Sequence, residues 1–222
     1  MSHTASPLDR WPASRSRLSA VARFDSSPAE YMRKERRDSV FGPGVGEHLW
    51  QSERACRHLS LAMRRQFDED CNCLELDRPE WRLALLPVTR LDRLAAHVAA
   101  LVVAGEVRRS LSRDEVCAWR NWLNPDAYEF ALTVAGLMPI LMPTFGPAAW
   151  RRFSAVEVGW CWLARVSAEW PAGVRARFVL KQPVLPDACV CPQDGAAARR
   201  LVQAVMLIVE SQWCSSFATR RN

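Results

Sequence analysis

The sequence predicts an all-α or nearly all-α fold, a compact bundle of about six helices with at most one or two short strands. Three observations carry that prediction. Apolar residues recur at helical spacing through most of the chain. Ser, Asn and Asp stand where helices should start, with acidic residues or proline just behind them. Proline and glycine punctuate the intervals between the periodic runs. The 222 residues are 49% hydrophobic, which suits one domain with a single core, and ten tryptophans can fill that core well.

Residues 1–45 read as a poorly ordered lead-in rich in Ser, Arg and Pro, closed by the turn-forming run Phe41-Gly42-Pro43-Gly44. Trp11, Phe24 and Tyr31 are its only anchors, so this segment is expected to be dispensable for folding. Residues 46–222 read as a single helical domain. Its first helix runs from Glu47 to Phe67, followed by an acidic, cysteine-containing loop and a short buried segment, Trp81 to Pro87. The clearest helix comes next: Leu91, Leu94, Ala95, Val98, Leu101 and Val102 form one continuous stripe. Thr89 with Asp92 resembles a capping box at its start, and Gly105 is the expected stop.

Ser112 with Glu115 repeats the capping pattern. Asn124-Pro125 supplies an N-cap and a first-turn proline for a helix through Tyr128 and Phe130. Gly146-Pro147 is expected to open a long helix from Ala148 to about Trp170. Val174, Ala176, Phe178 and Leu180 alternate with Arg175, Arg177 and Lys181, which fits a half-buried strand or extended segment. Asp194 is placed to cap a final helix from Ala196 to about Phe217.

The formal net charge is +6. The basic residues are scattered as arginine pairs, and the densest cluster, Arg33-Lys34-Glu35-Arg36-Arg37, is broken by a glutamate, which points to solvated helix faces rather than a basic arm. The first residues lack an apolar signal core and no apolar run approaches the ~20 residues that span a bilayer. The expectation is a cytoplasmic protein whose eight cysteines are reduced. Cys71 with Cys73 and Cys189 with Cys191 could offer four thiolates to zinc, but one intervening residue is too close for the usual structural site, so no metal is expected. His97 lies at the margin of its helix stripe and reads as a core-edge histidine. No nucleophile elbow, phosphate loop or dinucleotide fingerprint is present, and neither catalytic residues nor cofactor are assigned.

One helix face offers an interface candidate. Phe153, Val156, Trp160, Leu163, Ala164 and Trp170 form a broad apolar face, whereas Trp162 falls among Arg151, Arg165 and Glu169. Tryptophan ringed by arginine is a composition enriched at binding hot spots. Trp162, Arg151 and Arg165 are the candidate protein-interface residues; the alternative is that another element covers Trp162.

The run Pro79-Glu80-Trp81-Arg82-Leu83-Ala84-Leu85-Leu86-Pro87, the leucine-rich helix to Gly105, Val107 to Arg113, and Tyr128-Glu129-Phe130-Ala131-Leu132 together resemble the SctK (YscK-like) family, as does Arg175 to Pro183. The resemblance spans roughly residues 79–183. It implies a mainly helical, non-enzymatic cytosolic adaptor of the bacterial type III secretion sorting platform. It also implies two partners: the SctQ-type pod protein and the SctD-type protein of the inner-membrane ring. The rival readings are a helical nucleic-acid-binding regulator and a helical enzyme whose site is assembled from residues distant in sequence.

Overall fold

A computed structural model describes residues 15–42, 46–67, 81–134, 152–185 and 194–215. Among the described residues the chain is all-α, with thirteen helices in place of the expected six or so, and no strand. They are α1 (Arg15–Ser26), α2 (Pro28–Tyr31), α3 (Lys34–Phe41), α4 (Glu47–Gln51), α5 (Glu53–Arg64), α6 (Trp81–Leu85), α7 (Val88–Arg109), α8 (Arg113–Trp122), α9 (Pro125–Thr133), α10 (Ala155–Ser167), α11 (Ala172–Val179), α12 (Gly195–Val209) and α13 (Ser211–Ser215). The count rises because two expected runs are subdivided and because helices form in the lead-in, at Trp81–Leu85 and at Ala172–Val179. Ser52 interrupts the first of the two runs and accepts from Ala55 N–H to start α5. The second breaks at Glu210, whose buried carboxylate pairs with Arg90 at 3.4 Å.

α7 is the centre of the molecule. Its stripe residues Leu91, Leu94, Ala95 and Val98 are fully buried, but so are the alanines between them, because α9, α10 and α12 pack on different sides. The helix does not stop at Gly105; it continues to Arg109. The capping box expected from Thr89 and Asp92 is absent. The helix starts after Pro87 without a side-chain cap, and Asp92 is engaged elsewhere. The boxes at Ser112–Glu115 and, missed in sequence, at Ser154–Glu157 are both formed, and Asn124 and Asp194 cap α9 and α12 as expected. The expected start of a long helix near Ala148 lies outside the described residues.

Two further expectations are corrected. Residues 172–179 form α11, not a strand. Val174, Arg177, Phe178 and Lys181 stand at helical spacing and all four are buried, so two cations occupy the apolar stripe and produce a false alternation. The second correction concerns the lead-in: from Arg15 to Phe41 it is helical, and Phe24 is only 2% exposed within the main core. Tyr31 stacks on Phe24 at 5.7 Å and donates its hydroxyl to the Phe24 carbonyl. Ala29 and Met32 join Met63 and Leu180 in a smaller satellite core that ties α2 to α5. Ala29 N–H donates to Ser60 at its edge. α3 ends at Gly42, whose φ of 81° is the left-handed conformation that glycine adopts without strain.

Most of α10 is apolar and buried, from Ala155 through residues 158–163 to Val166. It crosses α7 so closely that a Cβ on Gly159 would overlap the carbonyl group of Ala95. Backbone cannot yield as a flexible side chain can, so the two helices would have to separate. Gly159→Ala is therefore expected to destabilise the protein by about 3 kcal/mol or more, read by urea denaturation. Stability within error of the wild type would show that the crossing is not the constraint described.

Candidate functional site

The stripe that α11 buries sets up the most unusual polar arrangement in the molecule. Lysine occurs at only two positions, Lys34 and Lys181; histidines aside, every other basic side chain is arginine. Lys34 is solvent-exposed, whereas Lys181 is 3% exposed. The Lys181 ammonium reaches the end of α6 and donates to the carbonyls of Ala84 at 2.7 Å and Leu86 at 2.9 Å, acceptors that the short helix leaves unmatched. The rings of Phe24 and Tyr31 lie over the same nitrogen at 4.9 and 4.8 Å. Burial, with the Arg23 charge nearby, brings the Lys181 amine down to about 7. The carbonyls and rings act in the other direction, since both favour the charged form.

Arginines from the N-terminal helices complete the arrangement. Arg33 donates through Nε to the Lys181 carbonyl at 2.6 Å, pairs with Asp92, and lies over the Trp160 ring at 5.3 Å. The same Asp92 oxygen accepts from the Trp160 indole at 2.7 Å. Arg36 donates to the carbonyls of Gln182 and Pro183. Arg177, 4% exposed, pairs with Asp25 of α1 at 3.0 Å and lies over Phe67. The segment 177–183 thus acts as a polar seam between the N-terminal helices and the α6–α7 corner.

Above the seam opens a cleft of about 500 Å³. Its walls are largely apolar, from Phe24, Met32, Leu85, Pro87 and Val88. Arg23 and Glu30, paired at 3.0 Å, stand at its rim, and Lys181 lines it from within. Sequence reasoning did not select this place. The one available signal was the rarity of lysine in an arginine-rich chain.

The interface candidates from sequence are placed differently. Trp162 is 1% exposed and belongs to the main core, so it is not a solvent-facing contact residue. Arg165 is partly exposed near the start of α12, with its guanidinium close to Gly195, and Arg151 lies outside the described residues. His97 is the satisfied core histidine expected. It bonds the Arg93 carbonyl at 2.8 Å, meets Phe130 edge to face, and burial lowers its pKa. The paired cysteines Cys71, Cys73, Cys189 and Cys191 lie outside the described residues. Cys56, Cys117 and Cys214 are free thiols, whereas Cys161 is disulfide-bonded, contrary to the expectation that all eight are reduced. Among the described residues no group of His, Cys, Asp and Glu is placed to hold a metal ion, and no helix is long and apolar enough to cross a membrane.

Two outcomes follow. Trp162→Ala should cost about 3–5 kcal/mol of folding stability in a denaturant titration, as a large core aromatic does; a variant that melts like the wild type would return Trp162 to the surface. Lys181 should also make stability depend on pH. Its ordinary pKa is 10.5 and the folded value is about 7, so between those values the unfolded chain holds a proton that the folded chain lacks. The contribution is complete above about pH 10.5 and lost as pH falls through about 7. Wild-type stability, measured against Lys181→Met, should therefore rise from pH 7 to pH 9. A constant difference across that range would mean an ordinary lysine.

Compared with known proteins, the chain matches no family model, no curated protein and no solved structure.

Proposed function

We propose that the protein is a non-enzymatic adaptor of a bacterial type III secretion system, linking the sorting-platform pods to the inner-membrane ring at its cytoplasmic face. The observation that carries this reading is spatial. Two of the stretches that resemble the SctK family, those around Trp81 to Pro87 and Phe178 to Pro183, are about a hundred residues apart in sequence yet meet directly. Lys181 donates to the carbonyls of Ala84 and Leu86, and Phe178 packs on Trp160 beside α7. These two stretches thus lie where the helices are locked together. Likeness at such positions is what a shared scaffold produces. A rigid helical body also suits an adaptor, since little ordering entropy is lost when it docks.

With the pull-down as the test, the full chain should retain both the SctQ-type and the SctD-type proteins of the same bacterium. It should pass a heparin column at about 0.15 M salt without strong retention, unlike a nucleic-acid binder. Failure to retain either partner, with salt-sensitive binding to nonspecific DNA, would replace the adaptor by the regulator.

A further inference from the structure

Among the described residues Lys181, which lines the cleft, has no counter-ion. Its described contacts are two carbonyls and two aromatic rings, and none is a carboxylate. The charged groups around it are of like sign or already engaged. On α1, Arg23 adds a second positive charge at the rim, where it pairs with Glu30 of α2. Arg33, just before α3, is bound to the Lys181 carbonyl and to Asp92. On α7, Asp92 is held by Arg33 and by the Trp160 indole of α10. Tyr31 spends its hydroxyl proton on the Phe24 carbonyl. Buried charges are ordinarily paired, because an unpaired one keeps its full desolvation cost.

The cavity supplies the second half of the argument. At about 500 Å³ it falls in the range that buries most of a small organic molecule, and its walls are mainly apolar. Lys181 and Arg23 both line it, and the Arg23 charge is near enough to act on the Lys181 amine. We propose that the cleft binds a small amphipathic anion, with an apolar or aromatic body against Phe24, Met32, Leu85 and Val88 and a single carboxylate, sulfonate or phosphate head at Lys181 and Arg23. The head gives Lys181 the counter-ion that the fold withholds. Arg23, whose side chain is 63% exposed, exchanges Glu30 for it. Binding favours the charged amine, so by linkage the affinity falls as Lys181 loses its proton in the free protein. This site is independent of the adaptor reading and is tested without any secretion component.

The probe is 8-anilinonaphthalene-1-sulfonate, titrated into the full chain by fluorescence, with decanoate, decanol and acetate as competitors. One saturable site is expected, displaced by decanoate at concentrations where decanol and acetate displace little. The dissociation constant should be about tenfold weaker at pH 8.5 than at pH 6, because the free Lys181 loses its proton between them. Arg23→Gln should weaken binding several-fold with an unchanged melting curve, and Ala20→Trp, which fills the cleft, should abolish it. Lys181→Met should remove the pH dependence; if that variant does not fold, the other two decide. Equal affinity at both pH values, decanol displacing as well as decanoate, or binding unaffected by Arg23→Gln and Ala20→Trp would each overturn the site.

Discussion

Lys181 is gripped from three separate stretches of chain: the carbonyls at the end of α6, the ring of Phe24 on α1 and the ring of Tyr31 on α2. Arg33 then fastens the backbone of Lys181 to Asp92 on α7, and Asp92 holds Trp160 on α10. Remove the cation and each neighbour loses a partner: α6 ends in bare carbonyls, and the rings of Phe24 and Tyr31 lose the charge they lie over. Such a network costs desolvation that an apolar core would avoid. What it contributes is directionality, because a helix held by charge-assisted bonds cannot slide along its neighbour as an apolar face can. α2 has four residues and α6 five, too few to be stable helices alone, so their conformation depends on these bonds.

The same arrangement explains what could be read from the sequence and what could not. Local signals were legible where they act locally. Ser112, Asn124 and Asp194 cap the helices that follow them, because an N-cap needs only its own next three residues. The α7 stripe was legible because its residues are unambiguously apolar. α11 was not, because half of its buried stripe is Arg177 and Lys181, and a rule that sends charges to solvent turns Val174, Arg177, Phe178 and Lys181 into an alternation. Asp92 misled for the converse reason. Its position beside Thr89 imitates a cap, yet its carboxylate serves Arg33 and Trp160, more than fifty residues away on either side.

The N-terminal helices and Trp162 were misjudged by a shared assumption, that polar neighbours in sequence mean polar surroundings in space. Arg33 and Arg36 make their segment look like lead-in, but their guanidiniums end on carbonyls of residues 181–183, where the arginine stems lie along the protein rather than in water. On α10 the run Trp160-Cys161-Trp162-Leu163 covers every side of one helical turn, so no rotation of the helix leaves all of it against α7. α12 and α11 close the remaining sides. The apolar run was the better guide there than the arginines flanking it.

Function enters this fold through what the packing leaves unresolved. Asp25, Glu30, Asp92 and Glu210 each meet an arginine, so the carboxylates near the seam are spoken for. Arg33, Arg36 and Arg177 find carbonyls or carboxylates in turn. Lys181 meets only carbonyls and rings among the described residues, and unlike these arginines it is not a guanidinium. A guanidinium keeps its charge at any physiological pH, whereas an ammonium under the same burial can surrender a proton. A chain that uses arginine almost everywhere has therefore placed its one titratable buried cation beside its apolar cleft. Arginine at this point would lock a permanent charge into the seam. Lysine leaves the seam stable when neutral and receptive when an anion arrives, which couples occupancy of the cleft to the grip on the N-terminal helices.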